Sequence, residues 1–332
     1  MPSAPSCAVD ESEPMSFATV QGQSNAVSLL RADLACGRVP AAYLLSGPDG
    51  VGKRLLALQL AKAVNCDAGG GDACDQCPSC LKIERRNHAD VWWVEPETAH
   101  EALKIEQIRE LLPRFGLRPF EGRYQVLILV NAEQLTDEAA SALLKTLEEP
   151  ARSTLFVLTT ANRAACLPTV ISRCRLVPCL RLPESLIREA LTGRHGVPSD
   201  AAAALARWSD GSLGRALARH HAGWWERQQE LLGMIRDGQW QALGKEGSGD
   251  ESRARVLELL ELLIWSYRQR TLEASVAGDC STAEALAGLI DWLVARLEDV
   301  QRYANAKLVW SLVVDRLQDV QHASGTGSPS LR

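Results

Sequence analysis

The stretch Leu44-Leu45-Ser46-Gly47-Pro48-Asp49-Gly50-Val51-Gly52-Lys53-Arg54 constrains this chain's fold more than any other. The apolar run Ala41 to Leu45 before it reads as a buried strand, and Arg54 to Val64 after it reads as a helix. Between them, Gly47 to Lys53 has the spacing G-x-x-x-x-G-K. Backbone amides of such a loop cradle phosphates at a helix N-terminus while the lysine reaches the β- and γ-phosphates. Glycines are needed because the backbone must approach the phosphates closely. A strand feeding a helix through this loop commits the chain to an α/β layer with a parallel sheet.

The rest of the chain extends that pattern. Val91 to Val94, Tyr124 to Val130 and Leu155 to Thr159 read as buried strands. Asn25 to Ala35 and Ile105 to Leu112 read as helices. Thr136 fits a helix N-cap with Asp137 and Glu138 in the first turn, Leu143, Leu144 and Leu147 form one face, and Pro150 ends that helix. Strands alternating with helices predict a parallel sheet covered on both faces.

The strand signal stops near residue 180. Residues 184–220 suggest three short helices punctuated by Gly193, Gly196 and Gly211, and a Gly-rich break at Gly244 to Asp250 precedes a longer helical region. Three apolar stripes there are expected to pack between helices: Val256 to Tyr267, Leu286 to Leu297, and Leu308, Leu312, Val313 and Leu317. Residues 1–15 and 323–332 read as disordered tails.

The residues after the loop lysine and after the second strong strand change the expected chemistry. Nucleotide-hydrolysing loops place Ser or Thr after the lysine to hold Mg²⁺ through a hydroxyl. Here Arg54 stands there, a cation that cannot coordinate one. Such enzymes also end a strand in acids that bind the metal and activate water. The corresponding strand ends Val130-Asn131, with Glu133 offset into the turn. ATP or ADP binding without turnover is therefore the expectation.

Cys66, Cys74, Cys77 and Cys80 fall within one short segment that also contains Gly69-Gly70-Gly71. Four thiolates suit a closed tetrahedral Zn²⁺ site; an iron–sulfur cluster is the chemical rival. The N-terminus shows no basic cluster followed by an apolar stretch, so a chain without a signal peptide is expected in the cytoplasm, where disulfides are rare. No apolar run is long enough to span a membrane. The net charge of -5 argues against a chain that grips DNA over most of its surface. Lys82, Arg85, Arg86 and His88, with Arg109, Arg114, Arg118 and Arg123, leave at most a weak phosphate-binding strip.

Further motifs resemble one family. Ser141-Ala142-Leu143-Leu144-Lys145-Thr146-Leu147-Glu148-Glu149-Pro150 resembles a helix signature of bacterial clamp-loader AAA+ subunits, and Ile171-Ser172-Arg173-Cys174 resembles their Ser-Arg-Cys motif. Gln21-Gly22-Gln23, Tyr43 to Lys53 and the cysteine cluster follow in the same order, so the likeness runs from about Phe17 to Cys179. The damaged nucleotide motifs resemble the delta-prime branch rather than the active gamma/tau motors. Gly211-Ser212-Leu213 is similar to a lid motif after which active relatives place a nucleotide-sensing Arg; Gly214 stands there, and Arg215 is about 100° further round the helix.

The resemblance implies an AAA+ P-loop domain at 16–180 with a zinc knuckle at 66–80, an all-α lid at 181–222 and an all-α collar at 223–322. It implies that Arg173 projects into a neighbour's ATP site as an arginine finger, and that Thr159 and Thr160 match a sensor region. The implied partners are gamma/tau motor subunits and a delta subunit, with the sliding clamp and primed DNA met through the whole complex of the DNA polymerase III holoenzyme. Two rivals remain: an active gamma/tau-like ATPase using Lys53 and Glu133, and a zinc-based nucleic-acid module.

Overall fold

The computed structural model describes residues 16–96, 103, 108–109, 111–115, 118–229, 250–302 and 304–324. The expected tail 1–15, the tail 323–332 but for Ala323 and Ser324, which are helical, the Gly244 to Asp250 break but for its last residue, and half of the helix expected over Ile105 to Leu112 lie outside these residues. The chain divides into two compact units, 1–219 and 220–332.

The first unit is built on a parallel sheet of β1 (Ala42–Ser46), β2 (Val91–Val94), β3 (Gln125–Leu129), β4 (Thr154–Thr160) and β5 (Arg175–Pro178), in the order β2-β3-β4-β1-β5. All four strand pairs are parallel, with Tyr43 opposite both Val157 and Arg175, and Ile128 opposite Val157 and Trp93. β3 and β4 are buried along their whole length, which is why they read as unbroken apolar runs rather than alternating ones.

Side chains alternate between the two faces of the sheet. Tyr43, Leu45, Ile128 and Val157 meet α1 (Ser24–Ala35) and α2 (Lys53–Asn65) through Leu30, Leu56 and Leu60. Leu44, Leu127, Leu129 and Phe156 meet α4 (Asp137–Glu148) through Leu143 and Leu147. The short helices α3 (Pro78–Glu84) and α5 (Pro168–Ile171) lie between strands. Thr136 caps α4 as expected, its hydroxyl accepting from the Ala139 N–H at 3.2 Å.

Sequence reading missed β5, a four-residue edge strand with only Val177 buried and a proline at its end. An edge strand needs no long apolar run, and proline is tolerated there. Buried Asp33 on α1 fastens it, pairing with Arg175 at 3.0 Å and accepting from the Tyr43 hydroxyl at 2.9 Å. Three short helices follow as expected: α6 (Glu184–His195), α7 (Ser199–Trp208) and α8 (Leu213–His221).

The second unit contains α9 (Asp250–Val276), α10 (Cys280–Gln301) and α11 (Ala306–Ser324). Gly278 takes φ +79° in the tight turn between the first two, and Asp279 caps α10 by accepting from the Thr282 N–H. Val256, Leu259, Leu260, Leu263, Leu289, Leu293, Val313 and Leu317 are buried as their spacing predicts. Leu308 and Leu312 depart from that expectation, at 63% and 48% exposed. Among the described residues, no helix is long and apolar enough to cross a membrane.

Candidate phosphate site and cysteine cluster

The loop Gly47 to Gly52 leaves the carboxyl end of β1 and opens α2, the geometry its spacing predicts. β1 lies between β4 and β5, so the loop is held from both sides: the Gly47 N–H donates to Thr160 O at 3.1 Å, and the Cys179 N–H donates to Ser46 O at 2.7 Å. Gly47 is required by closeness, because a Cβ there would lie 2.0 Å from the Cys179 carbonyl oxygen. Gly50 and Gly52 are required by conformation as well, at φ +73° and +104°.

Lys53 is 6% exposed and turned back onto its own loop. Its Nζ donates to Gly47 O at 2.5 Å, Pro48 O at 2.8 Å and Asp49 Oδ1 at 3.3 Å. These oxygens satisfy the ammonium where phosphate oxygens would otherwise do so. Asp49, Gly50, Val51, Gly52, Lys53 and Arg54 line one cavity of about 770 Å³, whose lining does not include Gly47 or Pro48. Val20, Leu182, Leu186 and Leu217 supply apolar wall, and Asn131, Thr159, Glu95 and Arg194 supply polar groups.

Arg54 lies on the cavity wall and pairs with Glu95 at 3.2 Å. Val130 is buried, and the Asn131 N–H donates to Thr159 Oγ1 at 3.2 Å. Thr160 Oγ1 accepts from the Asn162 N–H at 3.1 Å. Glu133 is not among the cavity-lining residues; its Oε1 accepts from the Ala161 N–H at 3.0 Å, so it braces the end of β4.

Three features of this site escaped sequence reading. Glu95 joins Arg54 to Arg86, whose guanidinium also sits 4.2 Å from the Trp93 ring centroid. Buried Gln23 clamps the loop to the chain beyond the sheet, its Nε2 donating to Val51 O at 3.1 Å and Leu180 O at 2.7 Å while its Oε1 accepts from the Leu180 N–H. The third is a backbone contact: the Gly214 N–H donates to Gly50 O at 3.0 Å, and a Cβ on Gly214 would lie 2.8 Å from Gly50 Cα. The only sequence sign of that contact was a glycine where relatives are expected to carry arginine.

Cys66, Cys74, Cys77 and Cys80 come together, all four Sγ atoms lying within 4.8 Å of one another. A tetrahedron with metal–sulfur bonds of about 2.3 Å has edges of roughly 3.8 Å, so this donor set fits a metal ion. The cysteines are free thiols, so no disulfide competes for them. Amides are already turned to the sulfurs: Cys74 N–H to Cys66 Sγ, Cys77 N–H to Cys74 Sγ, and Cys80 N–H to Cys77 Sγ. The Gln76 and Cys77 N–H groups bring the Cys74 thiol down to about 7, whereas burial pushes Cys77 and Cys80 up. Gly69, Gly70 and Gly71 all take positive φ in the turn that returns the chain to Cys74. Buried Lys62 on α2 pairs with Asp75 at 2.8 Å and with Glu84, pinning this module to the helix after the phosphate loop.

Arg173 lies away from the cavity wall, in the turn between α5 and β5. It pairs with Glu148 at the end of α4 and donates to Thr169 O at 3.0 Å. The basic strip is less free than its sequence suggests. Lys82 pairs with Glu121 and Arg86 with Glu95, while His88 is buried against Ser79 at 3.1 Å.

Residues 22–182 match the family described as DNA polymerase III, delta subunit. The chain is 32% identical over 241 residues to DNA polymerase III subunit delta' of Bacillus subtilis, spanning 73% of this chain and 65% of that protein. It is 31% identical over 264 residues to subunit delta' of Pseudomonas aeruginosa, spanning 79% and 72%. It is also 35% identical over 211 residues to subunit tau of Escherichia coli, but there the match spans 62% of this chain and only 32% of the relative.

Proposed function

This chain belongs to the family of DNA polymerase III delta' subunits, and from that premise we propose that it is a non-motor subunit of a clamp loader. In this reading it assembles with gamma/tau motors and a delta subunit and helps place a sliding clamp on primed DNA for the DNA polymerase III holoenzyme. Residues 16–180 serve as the AAA+ domain, 181–222 as its lid and 223–322 as the collar that holds the subunits together. DNA and clamp are met through the assembly, since the nearby basic side chains Lys82 and Arg86 are spent on ion pairs within the chain.

The observation that carries the reading is the division between cavity and surface. Around the phosphate cavity, Arg54 occupies the metal-hydroxyl position and no acid stands at Val130 or Asn131. Arg173 is outside that cavity and partly exposed, paired with Glu148 within the chain, and in this reading it leaves Glu148 to serve a neighbour's site on assembly. An arginine finger neutralises charge on a transferring γ-phosphoryl and is worth roughly 10³-fold or more in rate.

We assign the four cysteines to a structural Zn²⁺, held by Cys66, Cys74, Cys77 and Cys80. Four sulfurs leave no open coordination position, so the ion would fasten the insertion and supply no catalysis.

Arg173→Ala in the assembled complex tests the reading. ATPase at the one motor site this arginine serves should fall by about 10³-fold, so the complex loses that site's share of turnover while co-elution of the subunits persists. Unchanged ATPase and clamp loading by that variant would refute the finger. Turnover by the isolated chain that requires Mg²⁺ and is abolished by Lys53→Ala would instead favour an active gamma/tau-like ATPase.

A further inference from the structure

The cavity beside the phosphate loop has a feature that loss of hydrolysis does not explain: a guanidinium built into its wall where a magnesium ligand belongs. Arg54 is one of three cationic side chains lining it, with Lys53 and Arg194, against the carboxylates Asp49 and Glu95. Glu95 would repel a phosphate, yet it is held from two sides. Arg54 pairs with it at 3.2 Å, and Arg86, outside the cavity lining, pairs with its other oxygen while stacked over Trp93. When Arg54 turns from Glu95 to a phosphate, Arg86 remains to neutralise the carboxylate. The exchange frees one planar, permanently charged fork without stranding an acid.

We propose that this cavity takes a nucleoside diphosphate with no divalent cation, Arg54 supplying the charge that magnesium supplies in hydrolysing relatives. The inference rests on the reading of Gly47 to Lys53 as a phosphate cradle. Bidentate guanidinium–phosphate pairing is strong and directional, and it places positive charge where a metal would otherwise sit. A divalent ion is in turn disfavoured there, because it would lie beside a like charge and finds neither the Ser or Thr hydroxyl nor an acid at the end of β3, while Glu95 after β2 is paired with arginine. Lys53 is in reach of the same phosphates once it exchanges the Gly47 and Pro48 carbonyls for phosphate oxygens. Of the three lining cations, Lys53 and Arg54 stand at the loop and the start of its helix while Arg194 stands on α6, so the two at the cradle itself suit the less charged diphosphate better than a triphosphate. The apolar wall of Val20, Leu182, Leu186 and Leu217 offers a face for the base.

The test is equilibrium binding of N-methylanthraniloyl ADP to the full chain, in EDTA and in excess Mg²⁺. The wild-type chain should bind equally in both, within about threefold, and Arg54→Thr should bind about tenfold more weakly in EDTA and recover when Mg²⁺ is added. Wild-type binding that needs Mg²⁺, no binding in either buffer, or undiminished binding by Arg54→Thr in EDTA would overturn the proposal. The wild-type comparison needs no variant to fold, so it decides alone if Arg54→Thr is unstable. Co-elution with a gamma/tau motor in the same EDTA buffer separates this inference from the subunit reading. Assembly without ADP binding overturns the metal-free site and leaves that reading standing. ADP binding without assembly supports the site and overturns that reading.

Discussion

Gly214→Ala has an effect whose sign depends on a single tertiary contact. Gly214 is the second residue of α8, and alanine in an exposed helix stabilises by about 0.5–1 kcal/mol over glycine. The structure opposes that gain. The new Cβ would lie 2.8 Å from Gly50 Cα, a backbone atom that cannot swing aside like a side-chain tip. Forcing an extra methyl into a close contact costs about 1–3 kcal/mol. Any separation also stretches the 3.0 Å bond from the Gly214 N–H to Gly50 O, worth about 0.5–1.5 kcal/mol. The net is a loss of about 0.5–4 kcal/mol, or roughly 1–16 °C in Tm for a unit of this size. Differential scanning calorimetry of the full chain measures it, with an exposed helical glycine, Gly193→Ala, as the control expected to stabilise. A Gly214→Ala chain that melts higher than wild type would refute the seating of α8 on the phosphate loop. The same contact explains why a nucleotide-sensing arginine at this position is incompatible with the arrangement: its Cβ alone does not fit.

Three further outcomes are expected. Cys80→Ser should abolish stoichiometric zinc, read by atomic emission, and lower Tm; a metal content unchanged from wild type would exclude Cys80 as a ligand. Asp90→Ala removes a buried carboxylate that accepts from the Phe120, Glu121 and Gly122 N–H groups at 2.8 Å each, so it should cost about 2–4 kcal/mol in denaturant melts; a loss below 1 kcal/mol would show that the loop reorganises. Burial pushes His88 below its usual 6.5, so the unfolded chain binds its proton more readily. The contribution of His88 to stability is therefore complete above pH 6.5 and declines as pH falls below it; His88→Gln should flatten that slope in melts followed across the range, and an unchanged slope would acquit this histidine.

Much of the fold was legible because its signals are local. Buried parallel strands leave unbroken runs such as Val126 to Leu129, and Thr136 announces the start of α4 by a cap that spans only three residues. β5 was not legible, since an edge strand with one buried residue leaves no apolar run. Leu308 and Leu312 matched the helical period yet face outward, because period fixes which residues share a face but not whether anything covers it.

The candidate sites divide in the same way. Sequence alone determined the strand-to-helix loop Gly47 to Lys53, the arginine at position 54 and the grouping of the four cysteines, because each depends on residues a few positions apart and, in the loop, on φ angles that only glycine adopts readily. Tertiary structure alone decided what surrounds them: the Arg54–Glu95–Arg86 relay, the clamp of Gln23 on Leu180 across 157 residues, and the Gly214–Gly50 contact. Such pairings leave no spacing rule in the chain. They arise when packing of the sheet and helices brings distant backbone and charge together, where burial makes an unpaired polar group costly.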